Sequence, residues 1–448
     1  MSEVEELIAS VAVSGPPGGR PARQLALAAL DDTLAVGLAG LAEPAPVSVR
    51  AVLGRAEDGV RPWRGEETYA VADTALLHGT ACHALDWDDY MHPMHGHCSS
   101  VLLPAVWGLA EQLHRSGAEA VDAYLVGYQV DYLASLVLSH GHYAQGWHAT
   151  STIGVLGAAA AAARLLRLDV DGSAAALGIA ASSASGLQAS FGTPAKALHA
   201  GLAARAGVLA AQLAAAGMTA SRSWLVGRHG MLQAYGGDTA PEAAAERVRE
   251  SLHVHGITTP MGLVQKPYTS CGCSHAAVDA VVGITEDVAP EDIERIEVHV
   301  DPAVTRTMRE TVVSDSFDSR YSPSWVVAVA AADGTAGPAQ FSASSLARAD
   351  VLELRERVVV TADLPTDEGD RFAARVAVHL RDGSTRNREV RHAQGHPANA
   401  FDDVARERKQ RTALALVSDD VDAALHAVRT AWVSDDLAVA GEAIRSIR

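Results

Sequence analysis

The segment GVLGAAAAAARLLRL, residues 154–168, constrains this chain more than any other. Wound as a helix it is apolar around nearly its whole circumference. Such a helix has no face to offer water, so it belongs inside a bundle of other helices. Apolar or alanine-rich helical patterns also occur at 22–41, 72–89, 101–115, 118–139, 151–167, 173–187 and 197–217. Only 5% of residues are aromatic, and the small side chains that replace them suit close helix packing. The stretch up to residue 263 therefore reads as one all-helical domain.

The texture changes at residue 264. In ERIEVHVDPAV, Ile296, Val298 and Val300 alternate with polar residues, as a half-buried strand does. SPSWVVAVAAADG is a helix ending at Gly334, RVVVTAD is a second strand, and RFAARVAVHLRDGSTRNREVR is a hairpin turning at Asp382-Gly383. Residues 264–395 thus read as an α+β domain. From 396 to 448 the pattern returns to helix, in a piece too short to build its own core. It is expected to pack back on 1–263, which makes the α+β domain an insertion, a smaller lid on a mainly α protein.

At 448 residues a two-domain chain is the ordinary expectation. Asp and Glu number 54 against 36 Lys and Arg, a formal charge of -18. Such a surface repels nucleic acid and anionic membranes, while an anionic small molecule remains possible where cations are focused in a cleft. The N-terminus MSEVEELIASVAVSG is acidic where a signal peptide is basic, and no run approaches the roughly twenty apolar residues of a membrane span. Four cysteines are too few for a disulfide scaffold. Together these lead to the expectation of a cytoplasmic protein.

Chemistry concentrates in HALDWDDYMHPMHGHCSS, residues 83–100. The stretch is expected to begin on the helix at 72–89, where His83 and Asp86 share a face, as do Asp86 and Asp89, and to leave it before Pro93. A carboxylate that fixes an imidazole tautomer and raises its basicity fits these residue types. A polar interhelical loop fits them too. A zinc set of His92, His95, His97 and Cys98 is a further option, although the spacing matches no paired zinc pattern. Cys271, Cys273 and His275 alternate, so they share a side if that segment is extended. Lys196, in SFGTPAKALHAGLAARAG with His199, and Lys266, in QKPYTSCGCSH at the domain junction, sit among small residues rather than on charged helix faces.

HALDWDDYMHPMHGHCSSVLLPAVWGLAE resembles the signature of the MmgE/PrpD family, an H-x-x-D-[FW]-D-D stretch leading to G-H-P-S and an apolar helix. WHATSTIGVLGAAAAAARLL, SFGTPAKALHAGLAARAGVLAAQLA, KPYTSCGCSHAAVDA and GHPANAFDDV match further blocks of that family in order. The family includes 2-methylcitrate dehydratase, cis-aconitate decarboxylase and iminodisuccinate epimerase. The resemblance implies a helical domain built from both chain ends with an inserted α+β lid, a homodimer, and catalysis with neither metal nor organic cofactor. It also places the family's catalytic groups on Asp86, His97, His148, Lys196 and Lys266, and its next histidine on His275. Tyr90 stands where decarboxylase-like members have threonine, Cys98 replaces a proline, and Val304-Thr305 offers no counterpart to the decarboxylase's lid tyrosine.

What the resemblance implies chemically is a carbanion-like centre beside a carboxylate. Lys196 and Lys266 would hold a di- or tricarboxylic acid, and His97, oriented by Asp86, would move the proton. His148 or His275 would handle a second proton, with Tyr90, His199 and His275 lining the substrate. A dehydratase or decarboxylase is the first expectation, an epimerase the second, and an inactive ligand-binding homologue the third. Retention of Asp86, His97, Lys196 and Lys266 together weighs against the last.

Overall fold

The apolar segment forms the helix Gly154–Leu165, and every residue of it except Arg164 is buried. It packs against the helices Ser99–Gln112, Gly117–Ala144, Val170–Ala181 and Pro194–Ala215. Arg164 points outward and pairs with Asp122 at 2.7 Å. The computed structural model describes residues 2–15, 18–237, 239–310, 313, 315–366 and 372–447, apart from the side chains of 139 and 140. The chain is mainly α, and it divides into two units, Met1–Val264 with Asp403–Arg448, and Gln265–Asp402.

In the first unit, the helices Val71–Ala84 and Pro194–Ala215 run in direct contact, and they carry His83 and Lys196. Gly201 permits the approach, since a Cβ there would run into the Leu76 carbonyl. Two helices matter for position at either end of the unit. Gly19–Gly40 supplies Asp32, and Asp403–Leu414 supplies Lys409. The strand β1 (Arg55–Val60) lies between them in sequence. Among the described residues one helix, Pro194–Ala215, is long and apolar enough to cross a membrane; 56% of its apolar window is buried, as in a core helix.

The expected helix at 72–89 stops at Ala84, so Asp86 and Asp89 do not share a helical face. Long-range bonds explain the early stop. Asp86 has φ +50°, Lys409 takes the Trp87 carbonyl at 2.8 Å, and Tyr90 pairs through its backbone with Val264. Tertiary partners for the backbone outweigh the helical pattern of the sequence here.

In the second unit, β2 (Ile293–Val300), β3 (Val358–Thr361), β4 (Ala374–Leu380) and β5 (Thr385–Val390) form one sheet in the order β3-β2-β4-β5. β2 is parallel to β3 and antiparallel to β4, and β4 to β5 is the hairpin, with Gly383 at φ +86° in its turn. Alternate residues of β4 are buried, and the helices His275–Thr285 and Pro323–Asp333 belong to the same core. The segment with Cys271, Cys273 and His275 is not extended. Gly272–Ser274 is a 3-10 turn and His275 opens a helix, so strand alternation does not apply here, although the Cys271 and Cys273 thiols do meet side chain to side chain.

Candidate active site

Four segments of the first unit deliver side chains to one place. The end of Val71–Ala84 brings His83, the loop after it Asp86 and Asp88, a hairpin His97, and the start of Pro194–Ala215 Lys196. The hairpin is closed by the Met91–Gly96 backbone pair, with His95 at φ +53°. Gly96 lies so close to the next segment that a Cβ would sit 2.9 Å from the Thr150 nitrogen. The His97 amide then donates to Thr150 Oγ1 at 3.0 Å, which fixes where the imidazole begins.

Asp86 and His97 do not form the expected pair. Lys196 Nζ donates to Asp86 Oδ1 at 2.8 Å, with both side chains over nine-tenths buried. The carboxylate against the imidazoles is Asp88. His83 Nδ1 lies 2.9 and 3.0 Å from its two oxygens. His97 Nδ1 lies 3.2 Å from Oδ2, at an angle short of a well-directed hydrogen bond. His83 and Asp88 are fully enclosed, whereas the His97 side chain is 14% exposed. The His83 and His97 rings are 4.4 Å apart. Asp88 was not singled out because a sequence cannot tell which of three neighbouring aspartates a broken helix turns inward.

Burial pushes His83 down to about 3, against the pull of Asp88, so its ring is neutral at physiological pH. Burial alone would raise the Asp88 carboxyl, but the two imidazoles reverse this and hold it well below the usual carboxylate range. His148 lies behind, its ring 5.9 Å from His83 and its Nδ1 3.0 Å from His199 Nδ1. One ring of that pair must donate and the other accept. Burial, with the nearby Lys196 charge, keeps His148 neutral. Phe191 stands 5.0 Å edge-on to His148, and the Lys196 ammonium is 5.7 Å from its ring. Tyr90 is 6.2 Å from His97, ring to ring.

A second layer holds the loop. Lys409 Nζ binds Asp32 at 2.6 Å as well as the Trp87 carbonyl, and Ser99 Oγ donates to Asp89 Oδ2 at 2.5 Å. Burial raises Asp89 to about 8, so it is largely protonated at neutral pH.

Among the described residues, one set offers converging metal-ligand atoms: His83, Asp86, Asp88 and His97, all within 4.8 Å. Asp86 already binds an ammonium and Asp88 an imidazole, so the set's negative charge is met by the chain's own groups. The zinc set of His92, His95, His97 and Cys98 does not converge. The Cys98 thiol instead contacts Met94 Sδ at 3.3 Å, and burial raises it well above the ordinary thiol value.

Lys266 and His275 belong to the second unit. Lys266 is buried, and His275 Nε2 lies 3.2 Å from the Ser270 carbonyl with Tyr268 edge-on at 5.4 Å.

Residues 5–244 match the MmgE/PrpD N-terminal domain and residues 268–432 match the MmgE/PrpD C-terminal domain. The chain belongs to the MmgE/PrpD family. Curated relatives include a cis-aconitate decarboxylase of Homo sapiens, 29% identical over 71% of this chain and 66% of that protein. A cis-aconitate decarboxylase of Aspergillus terreus is 27% identical over 77% of this chain and 75% of its own length. The chain thus spans just under two thirds of the human protein, at 66%. The His83–His97 stretch and Lys196 lie within the matched N-terminal domain.

Proposed function

We propose that this chain is a lyase, of dehydratase or decarboxylase type, that acts on a small di- or tricarboxylic acid by proton transfer next to a carboxylate. The observation that carries this reading is a partly open imidazole, His97, in one cluster with a buried lysine, Lys196. An ammonium in such a place stabilises a carboxylate as charge develops beside it, most strongly where water is excluded. An imidazole exchanges protons near neutral pH.

In dehydration, His97 removes the proton beside a carboxylate, the β carbon–oxygen bond breaks, and an acid protonates the departing hydroxide. In decarboxylation, the carbon–carbon bond to the leaving carboxylate breaks, its electron pair moves into the adjoining unsaturation, and a protonated imidazole returns a proton to carbon. His148, paired with His199, serves as the second proton-carrying group in either case. Lys266 and His275 serve as further substrate groups, and Asp86 sets the position of the Lys196 ammonium. The cis-aconitate decarboxylase names among relatives support the lyase reading. The reading includes a homodimer that works without metal or organic cofactor.

Tyr90 supports a second reading. A phenol 6.2 Å from His97, ring to ring, offers an epimerase a proton donor beside the imidazole. Incubation of the purified chain with cis-aconitate, citrate-like and aspartate-derived acids in deuterated water separates the two. The lyase reading expects carbon dioxide or an alkene product; deuterium wash-in without net product makes the chain an epimerase. Neither turnover nor exchange with any of these acids would overturn both.

A further inference from the structure

We propose that Asp88 and His83 are positioning residues for His97. In this arrangement one enclosed carboxylate is shared by two imidazoles, holds His97 with Nδ1 turned inward, and leaves Nε2 as the atom that takes and returns the substrate proton. The inference rests on the reading in which His97 moves that proton, and it names the group that makes it competent.

Three observations carry it. Asp88 is the carboxylate in reach of His97 Nδ1, at 3.2 Å, whereas Asp86 is engaged by Lys196. His83 holds both Asp88 oxygens from the other side at 2.9 and 3.0 Å, so the carboxylate cannot rotate away without losing that contact. His83 and Asp88 are completely enclosed, and His97 alone of the three keeps some exposure. An inner pair and an outer imidazole is the order expected of groups that steer and a group that reacts.

The chemistry follows from the tautomers. Asp88 is ionised, hence only an acceptor, and both Nδ1 atoms that approach it must carry hydrogen. His83 is then a fixed donor. His97, with hydrogen on Nδ1, is left with a lone pair on Nε2. When Nε2 gains a proton, the neighbouring carboxylate stabilises the imidazolium that forms, as in other carboxylate–imidazole pairs. The present 3.2 Å contact is poorly aligned, and contacts of this kind commonly tighten only with substrate in place. The opposite tautomer would put a lone pair against a carboxylate, which is repulsive.

The inference is tested on the full chain in two independent ways. Nitrogen-15 histidine spectra, with the His97 signal assigned by its loss in His97→Asn, report the tautomer without any turnover. Hydrogen on Nδ1 is expected in the wild type, and hydrogen on Nε2 would overturn the inference even if His97 proved essential. Kinetics supply the second readout, with thermal melting to verify the fold. Asp88→Asn is expected to lower kcat by about 10²- to 10⁴-fold with KM changed by less than about threefold. His83→Ala is expected to lower kcat at least tenfold. His83→Asn, which keeps an amide donor where Nδ1 stood, should recover most of that loss. A folded Asp88→Asn protein with kcat near normal would overturn the inference. So would His83→Asn no better than His83→Ala. Full activity in His97→Asn would sink the underlying reading of His97, a separate result from either.

Discussion

Lys196 Nζ sits 2.8 Å from Asp86 Oδ1, and Asp86 itself stands at φ +50°, a left-handed conformation that few non-glycine residues adopt. Strain of this kind persists where surrounding structure enforces it, commonly at functional sites. If the pair exists to present an ammonium to substrate, Lys196→Met should lower kcat/KM by about 10²- to 10³-fold. Asp86→Asn should lose part of that by letting the ammonium drift. Steady-state kinetics on the two variants and their double mutant measure the coupling. Simple additivity would make Asp86 and Lys196 independent rather than a pair.

The Lys409–Asp32 pair makes a claim about stability instead. Both groups are enclosed, Lys409 joins the end of the chain to the loop through the Trp87 carbonyl, and its ammonium lies 5.4 Å from the Trp87 ring. Removing one member of a buried pair strands the other charge, at a cost of about 3–5 kcal/mol. Lys409→Met should therefore melt well below the wild type in thermal unfolding. Asp32→Asn combined with Lys409→Met should melt higher than Lys409→Met alone.

Asp89 gives a pH dependence with a definite sign. Its folded value is raised to about 8 from the ordinary 3.8, with burial as the main cause. Between those values the folded state holds a proton that the unfolded state has released, so the stability linked to this group is full below about pH 4 and declines as pH climbs toward 8. Asn in its place can still accept from Ser99 and has no proton to lose. The melting-temperature advantage of Asp89→Asn over wild type should thus grow from pH 5 to pH 8. A constant or shrinking gap would mean that Asp89 is ionised in the folded protein.

Much of the architecture was legible because burial writes itself into composition. The apolar helix Gly154–Leu165 had to be enclosed on all but its Arg164 side, and alternation at Ile296, Val298 and Val300 had to be a strand. The hairpin followed from Asp382-Gly383. The inner geometry of the site was less legible for a physical reason. Asp86, Asp88 and Asp89 are nearly interchangeable by propensity, and the loop that carries them is held by Lys409 and Val264 from distant positions in the chain and by Ser99 ten residues past Asp89. An intact helix would have put Asp86 beside His83. The break at Ala84 gave that place to Asp88. No local signal encodes an exchange of that kind.

Lys266 offers the last test, because burial and charge are in tension there. It is 1% exposed, and enclosing an ammonium so deeply carries a desolvation cost. Methionine matches its length and approximate volume without the charge. If Lys266 is kept for substrate, Lys266→Met should lower kcat/KM by about 10²-fold or more in a protein that still unfolds cooperatively. Kinetics and thermal melting on one preparation measure both. A large loss of stability with turnover intact would make Lys266 a structural lysine.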